Sequence, residues 1–114
     1  MDRRITSLFS LAQKAGKLVT GEFSCEKALR SKTAQLVIVA EDASDNTKKK
    51  FSQKCFHYKK PFYILFTKNE LSSAIGKENR ASFAVCDAGF AGRIKELIEE
   101  TTGIQISEVD ICPK

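Results

Sequence analysis

The chain alternates short, dense apolar runs with longer stretches in which apolar residues recur every three or four positions. The densest run is Leu36-Val37-Ile38-Val39-Ala40, continuous and rich in β-branched residues. A strand buried on both faces reads this way, because neither side needs polar positions. The run breaks into Glu41-Asp42-Ala43-Ser44-Asp45, which is polar and can start a helix. A central strand that feeds a helix N-terminus is a common place for α/β proteins to hold ligands. The helix end offers unpaired N–H groups, and the strand end opens a crevice.

The other elements read as cover for this strand or as walls at its carboxyl end. Residues 2–15 are expected to be helical, with Ile5, Leu8, Leu11, Ala12 and Ala15 at helical spacing, Asp2 as cap and Gly16 as terminator. Lys17-Leu18-Val19-Thr20 can form a short strand, Gly21 opens a second helix over 21–32, and 35–40 is the central strand. Ser44 or Asp45 can cap a third helix with Phe51, Cys55 and Tyr58 inward, broken by Lys59-Lys60-Pro61. Phe62-Tyr63-Ile64-Leu65-Phe66 is another strand. Residues 68–75 form a short helix carrying Leu71, Ala74 and Ile75 inward, with Gly76 as its C-cap.

After the charged loop Lys77-Glu78-Asn79-Arg80 comes the last main strand, Ser82-Phe83-Ala84-Val85-Cys86. Residues 89–101 are the clearest amphipathic helix, with Phe90, Ile94, Leu97, Ile98 and Thr101 on one side and Gly103 as its end. In the tail, 104–114, Ile104 and Ile106 alternate, and then Val109 and Ile111. It reads as an edge strand or a docked arm. Alternating helices and strands predict an α/β sandwich with the sheet between helical layers, in one domain over 1–103 followed by the tail. Strand order does not follow from one sequence.

Composition narrows the classes. With 114 residues, 42% of them hydrophobic, one domain with a real core is expected. No apolar run approaches the roughly 20 residues that span a bilayer, so no membrane role is expected. Met1-Asp2-Arg3-Arg4 is followed by no apolar h-region, which argues against a secretory signal. Cys25, Cys55, Cys86 and Cys112 are widely spaced and form no CxxC pair. They read as reduced thiols of a cytoplasmic protein rather than as zinc ligands. A net charge of +5 favours a polyanionic partner such as nucleic acid, although solvated lysines alone would give the same balance.

Placed at about 100° per residue, the helix over 21–32 sorts into two sides. Cys25, Ala28 and Leu29 form the buried side. Phe23, Lys27 and Arg30 share the opposite one, with Lys14 and Lys17 just upstream. Helix N–H groups and lysines suit phosphate, Phe23 offers a face to an unstacked base, and a glycine start lets a backbone approach closely. The alternative is an ordinary solvated face with Phe23 folded onto a neighbour.

Other constellations carry less. Lys48-Lys49-Lys50 reads as a solvated face or a secondary basic patch. Glu41-Asp42 lacks partner ligands, so no metal site is expected. Gly89-Phe90-Ala91-Gly92 lacks the Gly-Lys-Ser/Thr ending of a phosphate loop and reads as close packing at a helix start. His57 has no nucleophile to serve. No catalytic residue and no cofactor are expected, and the protein is not read as an enzyme.

The run Gly16-Lys17-Leu18-Val19-Thr20-Gly21, then Lys27-Ala28, then 36–42, resembles the kink-turn-binding ribosomal protein family of archaeal and eukaryotic large-subunit proteins and small-RNP core proteins. Leu11-Ala12-Gln13-Lys14-Ala15-Gly16-Lys17, Gly21-Glu22 and Ile75-Gly76-Lys77-Glu78 are most similar to its small bacterial YlxQ-like branch. The resemblance covers residues 5–100. It implies a three-layer α/β/α sandwich around a four-stranded mixed sheet, and no catalysis. The implied partner is structured RNA, chiefly ribosomal RNA in a ribosome or other ribonucleoprotein, with no DNA.

It also implies a site. The family's RNA-contacting helix start reads Gly-x-Asn-Glu-x-x-Lys, and this chain has Gly21-Glu22-Phe23-Ser24-Cys25-Glu26-Lys27. Gly21 and Lys27 match. Phe23 and Ser24 replace the Asn and Glu that hydrogen-bond sheared G·A pairs. A phenyl ring makes no such bonds, and Ser24 is shorter than Glu. What remains is phosphate contact through Lys27 and the helix end. A loop that covers a flipped-out nucleotide in the family corresponds to 75–81, with Ile75, Gly76, Lys77 and Arg80, and is more basic here. Ser44 stands near an often acidic position that touches that nucleotide, and Lys68 near a basic residue that reaches the RNA backbone. A rival reading keeps the fold, gives up RNA and makes Phe23 a contact for another protein.

Overall fold

The computed structural model describes residues 2–102. Gly103 and the tail expected at 104–114 lie outside the described residues. The elements run α1 (Arg3–Lys14), β1 (Leu18–Thr20), α2 (Glu22–Arg30), β2 (Leu36–Val39), α3 (Asp45–Tyr58), β3 (Phe62–Ile64), α4 (Lys68–Ala74), β4 (Ser82–Val85) and α5 (Ala88–Thr102). The four strands form one mixed sheet in the order β1-β4-β2-β3. β2 and β3 are parallel, with Val37 opposite Phe62, whereas β4 runs antiparallel to both β1 and β2. Helices α2 and α3 pack together on one face. α1 packs against α4 and α5 on the other, giving the three-layer α/β/α sandwich.

Local chemistry sets the element ends. Asp2 caps α1 by accepting from the Arg4 N–H at 2.7 Å, and the chain leaves the helix through Gly16 at φ +72°. Thr67 and Glu70 form a reciprocal capping box on α4, and Gly76 follows its last turn at φ +67°. β3 stops at Ile64, short of the expected run to Phe66, because Phe66 turns into the left-handed region at φ +64°. Asp87 stands just before α5, and its carboxylate accepts from the Phe90 N–H at 2.9 Å. Of the nearby glycines, Gly89 is closely packed as expected and Gly92 is not. A Cβ on Gly89 would meet only that carboxylate, and one on Gly92 would meet open space.

All four residues of β2 are buried, as a strand covered on both faces requires. On α1 the inward stripe is Ile5, Phe9 and Ala12, while Leu11 is 54% exposed and Ala15 is exposed too. Phe9 meets Phe83 of β4 edge to face, with ring centroids 5.0 Å apart. On α5, Ile94, Leu97 and Ile98 are buried, but Thr101 is exposed and hydrogen-bonds back to the Leu97 carbonyl. Cys25 and Cys55 are buried thiols, each pushed up to about 12 by loss of water.

Candidate nucleic-acid interface

Strand directions gather the site. β1, β2 and β3 point the same way and β4 runs against them, so one edge of the sheet collects Gly21, residues 40–44, residues 65–68 and the start of β4. Backbone bonds lock this edge: Gly21 N–H to Ser82 O at 3.0 Å, Ala40 N–H to Ala81 O at 2.8 Å, and Glu41 N–H to Phe66 O at 2.7 Å. Helices α2, α3 and α4 all begin here, with their positive ends along one rim.

Their starts are not equivalent. On α3, Ser44 Oγ accepts from the Thr47 N–H at 3.1 Å. On α4, Thr67 caps, and the Asp42 carboxylate accepts from the Lys68 N–H at 2.8 Å. Asp42 thus helps to cap the start of α4. α2 starts at Gly21 with no side-chain cap. Gly21 sits at φ +92°, ψ +154°, which only glycine adopts without strain. The first-turn N–H groups of α2 therefore receive no side-chain cap, while its cations Lys27 and Arg30 stand in the last turn.

A clamp across α2 and α3 sorts the charges. Thr47 Oγ1 donates to Glu22 Oε1 at 3.0 Å and accepts from Ser44 Oγ at 2.9 Å. Lys50 Nζ reaches Glu22 at 3.1 Å and also pairs with Glu26. The Lys50 hydrogen bond, with that of Thr47, holds the Glu22 carboxyl below the usual carboxylate range. Glu26 first, then Glu22, raise the Lys50 ammonium. Both acids of α2 thus turn toward α3. The outer face keeps Phe23, Lys27 and Arg30, all exposed, with no ion pair to either cation among the described residues. Lys50 is accordingly not a plain solvated lysine.

The remaining candidates spread along this surface. Lys68 and Lys77 border a cleft of about 520 Å³ that Asp42, Ser72 and Asn79 also line. Arg80 is held by its backbone, its N–H donating to Ser72 Oγ at 2.8 Å, and its Nε is buried. Ile75 is 7% exposed and supports the loop from the core, which leaves its side chain almost no contact surface. Gly76 is exposed at the turn after α4. Ser24 is half-buried at the flank of α2.

Lys14 and Lys17 do not join the Gly21 end. They lie at the opposite end of β1, where the Lys17 carbonyl accepts from Cys86 N–H at 2.7 Å. α2 returns toward that end, so Lys17 stands near the helix's later turns rather than its start.

Residues 3–94 match the model of the Ribosomal protein L7Ae/L30e/S12e/Gadd45 family. The chain belongs to this family. The L7Ae/L30e/S12e/Gadd45 match takes in every candidate residue from Lys14 to Arg80. The chain is 43% identical over 97 residues to the RNA-binding protein YlxQ of Enterococcus faecium, covering 85% of this chain and 93% of the relative. It is 42% identical over 92 residues to the RNA-binding protein YlxQ of Bacillus subtilis (strain 168), covering 81% and 92%. A solved structure of a protein of unknown function from Bacillus halodurans C superposes with a TM-score of 0.82 at 38% identity, covering 86% of this chain and 99% of that one.

Proposed function

We propose that this chain binds structured RNA, gripping phosphates along the outer face of α2 and the rim where α2, α3 and α4 begin. The observation that carries this reading is the charge sorting on α2. Its acids are held by Lys50, which leaves an uncapped start at one end of the helix and cations alone on the outer face of its last turn. The YlxQ relatives, named as RNA-binding proteins, support it. The protein is not an enzyme: it belongs to a ribosomal protein family, and its relatives are named as RNA-binding proteins.

Contact is to phosphate and shape, because Phe23 and Ser24 stand where base-edge readout of a kink-turn would need Asn and Glu. The partner we propose is a cytoplasmic ribosomal RNA, within the ribosome or another ribonucleoprotein. Titration of a kink-turn RNA, a plain duplex of equal length and a single strand, each at two salt concentrations, tests this. Salt-sensitive binding to both structured RNAs, with little kink-turn preference, is expected. Failure to bind any of them at low salt would leave the rim to a protein partner.

Lys27 gives a sharper check. As a phosphate contact it carries no sequence information. Lys27→Ala is expected to weaken all RNAs alike and to flatten the slope of log affinity against log salt by about one. An unchanged slope and affinity would remove Lys27 from the interface.

A further inference from the structure

The outer side of α2 has a second flank, away from the sheet edge. Between it and the end of β4 lies a groove of about 320 Å³, lined by Val19, Phe23, Ser24, Lys27, Thr33 and Cys86. Phe23 is 74% exposed beside it, a large ring with most of one face in water. Lys27 follows one helical turn later. Lys17 stands at the far end, bonded through its carbonyl to Cys86 N–H. Burial raises the Cys86 thiol, while Thr33 and the nearby Lys17 charge pull it partly back. No carboxylate lines the groove, since Glu22 and Glu26 are turned to Lys50. Its floor is apolar and its walls carry the Ser24 and Thr33 hydroxyls.

We propose that this groove holds one unpaired nucleotide of the RNA, with its base stacked on Phe23 and its flanking phosphates on Lys27 and Lys17. The proposal rests on the RNA reading and narrows its ligand to an RNA with a nucleotide extruded from, or overhanging, a helix. Paired bases present no face to a side chain, whereas an unstacked base does. Stacking explains an exposed phenyl ring that reads no base edge, and it tolerates any base. The occupant's charge complements the site: its phosphates meet Lys27 in the groove lining and Lys17 next to Cys86, and no carboxylate lines the groove.

The test compares a flush RNA hairpin with the same hairpin carrying one unpaired adenosine, against the full chain and its variants. The wild-type protein is expected to prefer the unpaired form by roughly tenfold or more. Phe23→Ala should erase that preference by weakening the unpaired form more than the flush one, and Phe23→Tyr should retain it. Alkylation of Cys86, followed by peptide mass spectrometry, should slow with the unpaired form and not with the flush one. Equal loss of both RNAs in Phe23→Ala, an unchanged preference, or unaltered Cys86 labelling would overturn the groove assignment and leave RNA binding standing. No binding of either hairpin at low salt would overturn the RNA reading itself, and the groove with it.

Discussion

Raising monovalent salt about fourfold, from ~50 to ~200 mM, is expected to weaken RNA binding by roughly 500-fold. Lys17, Lys27, Arg30, Lys68 and Lys77 are exposed on the proposed surface, and none is held in an ion pair among the described residues. Each lysine or arginine on a phosphate releases condensed counterions and contributes about −0.9 to the log–log slope, so five such contacts give roughly −4.5. The base-edge contacts that would hold affinity at high salt are missing at Phe23 and Ser24. The measurement is a salt series on one structured RNA, by fluorescence anisotropy or filter binding. A slope near zero with retained affinity would mean that the grip is not electrostatic, and would sink the phosphate reading. A slope much shallower than −4.5 would say how many of the five cations stay in solvent.

Much of the surface was legible because α2 is amphipathic. The spacing of Cys25, Ala28 and Leu29 fixes the buried side, which leaves Phe23, Lys27 and Arg30 outside whatever the fold. The charge clamp was not legible. Glu22 and Glu26 at helical spacing, and Lys50 within a lysine run, are ordinary separately. Their pairing needs α2 and α3 to lie side by side, which is a tertiary fact. Lys14 and Lys17 illustrate the same limit. They precede Gly21 closely in sequence, yet the extended strand between Lys17 and Gly21 carries them to the other end of the sheet. Ile75 differs again, because proximity to a basic loop suggests a contact while its side chain is drawn into the core.

The fold divides along similar lines. Runs such as 36–40 and 82–86 admit one interpretation, since a continuous apolar segment fits only a doubly covered strand or a buried helix, and these are too short for helices. α1 admits two. Ile5, Phe9 and Ala12 make one stripe at helical spacing, while Leu8, Leu11 and Ala15 make another. Only packing on the sheet and on α4 and α5 selects the first, leaving Leu11 in water.

That choice of stripe makes Phe9 the position where a single truncation should do the most damage to the fold. Phe9→Ala is expected to cost about 3–5 kcal/mol. The ring is fully buried and meets Phe83 edge to face at 5.0 Å, so its loss opens a cavity between α1 and β4 and strips one partner from an aromatic pair. Domains of this size are held by only about 5–15 kcal/mol, so roughly a fifth or more of the total would go. Thermal unfolding should drop by roughly 10–25 °C. Phe23→Ala removes the same atoms from the surface, where truncation usually changes stability by no more than about 0.5 kcal/mol. The two variants together form the check. Denaturant unfolding should separate them by several kcal/mol, while the folded protein's preference for the RNA with an unpaired nucleotide should be lost only in Phe23→Ala. A Phe9→Ala protein as stable as wild type would mean that α1 packs through its other stripe. A Phe23→Ala protein as unstable as Phe9→Ala would mean that its ring is covered in solution.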